Sequence, residues 1–289
     1  MKTLALATPA ATTTFTSSAA AAPTTRYLQV DGGRIAYDDT GGSGPIVLAL
    51  PGMGDVRAEY RFLRPLLQQA GYRVVTMDVR GMGETSAVWH DYSARAVGTD
   101  AIALLDALRA GPAVIFGTSF AAGAALWAAH EAPAKVRSAV LLGPVVRDYP
   151  LPWYIAAAAA AGFAGPWRRA FWMSYWNSLF KERRPEDHAA YRAALAANLR
   201  EPGRMDALRT MVRLSKAPTE AMLSQSRVPA LIVMGAKDPD FPVPAREASW
   251  LAAQLRAESM VVERVGHYPH VEQPYAVATA IIAFMNRGR

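Results

Sequence analysis

The sequence predicts an α/β fold in which a parallel β-sheet is covered by helices on both faces. From Pro45 onward, short apolar runs bounded by glycine or proline alternate with stretches of helical periodicity, the pattern of buried strands joined by helical crossovers. Only 19% of the residues are charged and 52% are hydrophobic, as expected when strands are shielded on both sides. At 289 residues the chain is long enough to bury such a sheet.

Taken in order, residues 1–25 form an Ala/Thr-rich stretch whose early apolar run, Leu4 to Ala7, is broken by Thr8 and Pro9. A secretory signal needs a continuous apolar core of about 7–15 residues, so a disordered leader and a cytoplasmic location are expected. Tyr27 to Val30 and Arg34 to Tyr37 flank Asp31-Gly32-Gly33, and glycines able to take positive φ predict an antiparallel hairpin. Strands are then expected over Ile46 to Leu50, Arg73 to Met77, Ala113 to Phe116, Ser138 to Leu142, Leu231 to Met234 and Met260 to Val265. Helices are expected from Ser93 to Ala110, Phe120 to Ala132, Val243 to Arg256 and Val271 to Asn286.

The stretch between Leu142 and Leu231 is far longer than an ordinary connection. It divides the chain into a core of residues 26–144 and 227–289 and an inserted segment of residues 145–226. The insertion holds 11 of the 27 aromatic residues. Trp172 and Trp176 stand four apart, as do Phe171 and Tyr175, which is helical spacing. Trp153, Trp172 and Trp176 are the candidates for lining a substrate cavity.

Composition excludes several classes of function. There is no cysteine, which removes disulfides, thiolate metal sites and cysteine nucleophiles. The net charge of +7 raises the question of an acidic partner. The insertion, however, carries twelve basic and seven acidic residues interleaved, without a nucleic-acid recognition motif, so no nucleic-acid binding is expected. No apolar run approaches the roughly 20 residues of a membrane span.

The chemistry-bearing residues fall at strand ends. Ala113 to Phe116 runs into Gly117-Thr118-Ser119-Phe120-Ala121 and then a helix. This strand–turn–helix context projects a serine hydroxyl from a sharp turn that tolerates only small neighbours two residues either side. A neutral serine requires a base, and the base requires an orienting carboxylate. Asp238 follows the strand ending at Met234, and His267 follows the strand ending at Val265. Both lie at carboxyl ends, where functional groups gather on open α/β sheets. Asp240 and His270 are the nearest rivals; His270 follows Pro269 at a helix start, where a polar group is expected to be solvated. The glycine-rich turn Pro51-Gly52-Met53-Gly54 follows the first parallel strand, so the backbone N–H groups of Met53 and Phe120 are the candidates to hold a developing oxyanion.

From about Arg34 onward, the chain resembles the α/β-hydrolase superfamily, particularly small bacterial esterase-like members with a helical cap. The resemblance is carried by Pro51-Gly52-Met53-Gly54, by Asp78-Val79-Arg80-Gly81-Met82-Gly83, by the turn at Ser119, by Gly235 to Pro239 and by Gly266-His267-Tyr268-Pro269. It implies an eight-stranded, mostly parallel sheet, with residues 145–226 as a cap over a Ser119–His267–Asp238 triad. It further implies no cofactor and no metal, with Asp78 and Arg80 as scaffold. The chain departs from the pattern at Pro51, where many relatives have histidine, and at Ala121, where glycine is usual. The expected reaction is hydrolysis of a hydrophobic carboxylic ester. Lactone, amide or carbon–carbon cleavage, perhydrolysis, and a ligand receptor with slow turnover are the alternatives.

Overall fold

The computed structural model describes residues 24–150 and 152–287. The expected leader therefore lies outside the described residues except for Thr24 and Thr25, which lead directly into the first strand. Eight strands form one sheet: β1 (Arg26–Val30), β2 (Gly33–Asp39), β3 (Ile46–Leu50), β4 (Arg73–Met77), β5 (Ala113–Thr118), β6 (Val136–Leu142), β7 (Ala230–Gly235) and β8 (Glu258–Val262). Their order is β1-β2-β4-β3-β5-β6-β7-β8. The β1–β2 hairpin and the β2–β4 pair are antiparallel, and every later pairing is parallel.

Alternation along the strands feeds two apolar layers. Leu48, Leu50, Ile115 and Leu141 face one layer, while Val47, Ala49, Val114, Phe116 and Val140 face the other. Because successive side chains point to opposite faces, a strand apolar at every position requires both faces to be covered. The helix Leu63–Gln69 and the C-terminal helix Pro274–Arg287 cover the second layer, with Leu63, Leu67, Val277 and Ile281 fully buried. The helices Ala94–Ala107 and Ala121–Glu131 pack on the first. Ser93 caps the former, its hydroxyl accepting from the Ala96 N–H at 3.2 Å.

The expected C-terminal helix is two helices, Pro269–Glu272 and Pro274–Arg287. A proline inside a helix removes a donor and clashes with the preceding turn, so Pro274 starts a new helix. The last strand ends at Val262 rather than Val265, which leaves Glu263 to Gly266 as a turn that carries the chain to His267.

Between β6 and β7 lie five helices, Trp153–Ala164, Arg168–Ser178, His188–Asn198, Arg204–Arg213 and Ala217–Met222. The ends of this segment meet. Asp148 accepts from the Ser215 hydroxyl at 2.6 Å and from the Lys216 N–H at 3.0 Å. The helix Ala217–Met222 then packs on Ala121–Glu131, with Trp127 Nε1 donating to Thr219 Oγ1 at 3.0 Å. No described helix is long and apolar enough to cross a membrane.

Candidate active site

Ser119 sits at the turn between β5 and the helix Ala121–Glu131 with φ of 55°. An L-residue adopts this left-handed conformation only where surrounding structure over-determines it. The turn is tight: a Cβ at Gly117 would lie 2.2 Å from the Ala121 carbonyl oxygen, so position 117 admits only glycine. The clash is with the backbone at 121 and not with its side chain, and the Ala121 methyl packs fully buried in the first apolar layer. The Ser119 N–H donates to Leu142 O at 2.9 Å, and the Ser119 carbonyl accepts from the Val145 N–H at 3.1 Å. These two bonds fix the serine turn to the end of β6.

His267 and Asp238 come together at the neighbouring strand ends. His267 Nδ1 lies 2.7 Å from Asp238 Oδ2, with both side chains at most 2% exposed. Asp240 Oδ2 stands 3.6 Å from the same nitrogen, and Tyr175 donates its hydroxyl to Asp240 Oδ1 at 2.6 Å. Asp238 is thus the direct partner and Asp240 a flanking charge. Burial pulls the His267 imidazole down, but the Asp238 and Asp240 carboxylates outweigh it and raise its pKa to about 9. Gly143, which follows the strand end bonded to Ser119, brings the imidazole to the serine's edge of the sheet; a Cβ there would lie 3.3 Å from His267 Nδ1. Among the described residues, neither the Ser119 hydroxyl nor His267 Nε2 is engaged in a hydrogen bond.

The loop that carries Met53 reaches the turn that carries Ser119 and Phe120. Gly52 packs against Ser119, with 3.4 Å between the Ser119 Cβ and a Cβ built at Gly52. Neither the Met53 N–H nor the Phe120 N–H donates to another described group. Phe120 directly precedes the helix Ala121–Glu131, whose N-terminal end favours negative charge.

The loop carrying Met53 is braced by buried polar groups that the sequence analysis missed. Glu59 accepts the Gly52 N–H at 2.9 Å and pairs with His270 Nε2 at 2.9 Å. Both side chains are at most 1% exposed, so His270 is a core residue and not the solvated helix-start group expected. Asp55 accepts from Trp176 Nε1 at 3.0 Å and from the Tyr191 hydroxyl. Burial, aided by Glu59, pushes its pKa up to about 6. Proximity of Glu59 to Pro51 in sequence was a signal for the first brace. No sequence signal pairs it with His270.

The three candidate tryptophans separate. Trp172 is buried and lies over the Met53 loop, its ring 2.5 Å from a Cβ built at Gly54. Trp176 is 1% exposed and acts as the Asp55 donor. Trp153 is 81% exposed, packing edge-on to Tyr154, and the structure does not bring it to Ser119. Asp78 is the buried acceptor for the Arg57 and Glu84 N–H groups, while Arg80 makes a paired contact with Asp100. His90 and His130 are exposed and distant in the chain from any strand end. His188 bonds Asn177 at 3.0 Å and stacks on Trp176.

Asp238, Asp240 and His267 place one potential ligand atom each within 4.8 Å of one another. His267 Nδ1 already engages Asp238 in this cluster, which is the arrangement of an oriented base.

The model of the alpha/beta hydrolase fold matches residues 45–274. Among curated proteins, the 3-oxoadipate enol-lactonase 2 of Acinetobacter baylyi is 25% identical over 221 residues, covering 76% of this chain and 80% of that one. Among solved structures, a bromoperoxidase from Bacillus anthracis superposes with a TM-score of 0.78 at 19% identity, covering 91% of this chain and 100% of the other. A thermophilic esterase from Thermogutta terrifontis gives 0.76 at 21% identity, covering 91% and 99%.

Proposed function

This chain belongs to the α/β-hydrolase family, and on that premise we propose that it is a serine hydrolase cleaving carboxylic esters of hydrophobic substrates through an acyl-enzyme. The observation that carries this reading is the buried His267–Asp238 pair at the strand edge occupied by a serine in left-handed conformation.

In this reading His267 Nε2 accepts the Ser119 proton as Oγ attacks the ester carbonyl. The oxyanion is met by the N–H groups of Met53 and Phe120, which have no other partner to give up. His267, now an imidazolium, is stabilised by Asp238 and Asp240. It returns the proton to the departing alcohol, and water, activated by the same imidazole, releases the acid. Glu59 and His270 hold the Met53 loop in place beneath the reacting carbonyl. The helices between β6 and β7 serve as a cap, with Trp172 as its buried aromatic wall. No cofactor or metal takes part in the scheme.

A lactone is an internal ester, so the same steps open one, and the enol-lactonase relative supports lactones as a second substrate class. Labelling with a fluorophosphonate probe and mapping the adduct tests the reading. The expected site is Ser119, with Ser119→Ala losing about 10⁴-fold or more in kcat on aryl esters. An adduct elsewhere, or full activity in that variant, overturns it.

A further inference from the structure

We propose that the indole Nε1–H of Trp172 is a hydrogen-bond donor to substrate, selecting esters that carry a second oxygen acceptor near the reacting carbonyl. The inference rests on the serine-ester reading above and narrows its substrate class to esters bearing an ether, oxo or amide oxygen.

Trp172 is 5% exposed, and its Nε1 has no hydrogen-bond partner among the described residues. Buried indole N–H groups usually find an acceptor, because leaving one bare forfeits its bond to water without return. Packing alone needs no N–H, and an all-carbon ring there would carry no such cost. The orphan donor is understandable if an acceptor arrives with the ligand.

Its position supports that role. A Cβ built at Gly54 would lie 2.7 Å from Trp172 Nε1, and 2.5 and 2.6 Å from Cζ2 and Cε2. The missing side chain at position 54 therefore makes room for the donor edge of the indole, one residue beyond Met53. On its other side the Trp172 ring centroid is 5.2 Å from that of Tyr175, whose hydroxyl donates to Asp240. Asp240 in turn flanks His267. The indole thus bridges from the proposed oxyanion loop to the acid side of the base. The other buried side-chain atoms without a partner include Thr76 Oγ1, His188 Nδ1, His270 Nδ1 and Glu272 Oε2. None of them combines an inserted helix with contact to the Met53 loop.

Two isosteric pairs test the proposal: p-nitrophenyl butyrate against p-nitrophenyl methoxyacetate, and butyl acetate against 2-methoxyethyl acetate. Each pair exchanges one methylene for an ether oxygen, on the acyl side in the first and the alcohol side in the second. The ratio of kcat/KM for the ether ester to that for its all-carbon partner is measured in the wild type and in Trp172→Phe. Lost packing affects both members of a pair and cancels in the ratio. In at least one pair the ratio is expected to fall about tenfold in the variant, the effect of one lost hydrogen bond of about 1.4 kcal/mol. Ratios unchanged within about twofold in both pairs overturn the proposal.

A wild-type measurement keeps the test decisive if the variant fails to fold. In ¹⁵N-labelled protein reacted with a methoxyalkyl phosphonate, the Trp172 indole proton resonance is expected downfield of its position in the matching alkyl phosphonate adduct. Coincident resonances overturn the donor role. Failure of the underlying reading is distinguishable, because then neither phosphonate would label Ser119.

Discussion

In β3, β5 and β7 every residue is buried, whereas the inserted helix Trp153–Ala164 buries only Gly162 and Phe163. The sheet is held by apolar contact on two faces. The inserted helices add Trp172, Met173, Trp176, Leu208 and Met211 to the first layer, and polar links join them to the core as well. Trp176 and Tyr191 bond Asp55, Asp187 makes a paired contact with Arg61 at 2.5 and 2.8 Å, Tyr175 bonds Asp240, and Leu179 O accepts the His267 N–H at 2.9 Å. All of these links but the Asp187–Arg61 contact end on residues within or beside the proposed machinery. The difference teaches that both regions bury apolar surface, while the insertion alone also ties itself to the site through a few hydrogen bonds.

The sharpest way to break the comparison is to remove apolar volume from the sheet. Ile115→Ala deletes a fully buried side chain and is expected to cost about 2–5 kcal/mol by denaturant unfolding, with kcat of the folded fraction changed little. Asp55→Ala attacks the polar links instead. It leaves the Trp176 N–H and Tyr191 hydroxyl without their acceptor, and about 1–3 kcal/mol of stability is expected to be lost. Unlike the core substitution, it should also lower kcat, because Asp55 directly follows the Met53-Gly54 turn. Equal kcat in the two variants would show that the links do not reach the site.

Titration sharpens the same contrast. With the His267 pKa raised to about 9, the free base is scarce at neutral pH, so kcat/KM is expected to rise with pH, pass its inflection near 9 and level off above it. Asp240→Asn removes one of the carboxylates that raise it and should move the inflection to lower pH. The linked stability has the opposite sign. The protonated pair contributes fully below the unfolded imidazole value of about 6.5 and is lost as pH rises through about 9. A flat activity profile between pH 6 and 9 would contradict this assignment. The smallest effect is expected at Trp153→Ala, at the exposed end of the insertion. Stability should stay within about 0.5 kcal/mol as measured by urea unfolding.

Much of the sheet is legible in the sequence because a strand buried on both faces must be apolar at every position, as Ile46 to Leu50 and Ala113 to Phe116 are. Asp238 is legible for a related reason, since it follows such a strand at its carboxyl end; His267 follows the partly exposed edge strand β8 by a turn. The polar bracing is not legible. Glu59 and His270 are 211 positions apart, and each looks like a surface residue in its local context. Pro269 suggests an exposed helix start, yet the short helix it begins is pressed under the Met53 loop. The tryptophans show the same limit. Helical spacing placed Trp172 and Trp176 on one helix, but their different duties depend on Gly54 and Asp55, neighbours that only the folded chain supplies. Trp153 stands at the exposed start of a helix that reaches the core only at its other end, through Gly162 and Phe163.

The clamp at Asp148 bears on how this architecture diversifies. Because Ser215 and Lys216 close on Asp148, the polypeptide leaves and re-enters the scaffold at one narrow neck. The crossover to the next strand begins only after it, with the helix whose Thr219 bonds Trp127. Residues 149 to 214 thus enter and leave at one point, but a fragment exchanged there must still supply the acceptor that Leu179 O gives the His267 N–H and the donors that meet Asp55 and Asp240. On the function proposed above, a chimaera joined at this neck that keeps those bonds is expected to take its substrate range from the donor and its chemistry from the host.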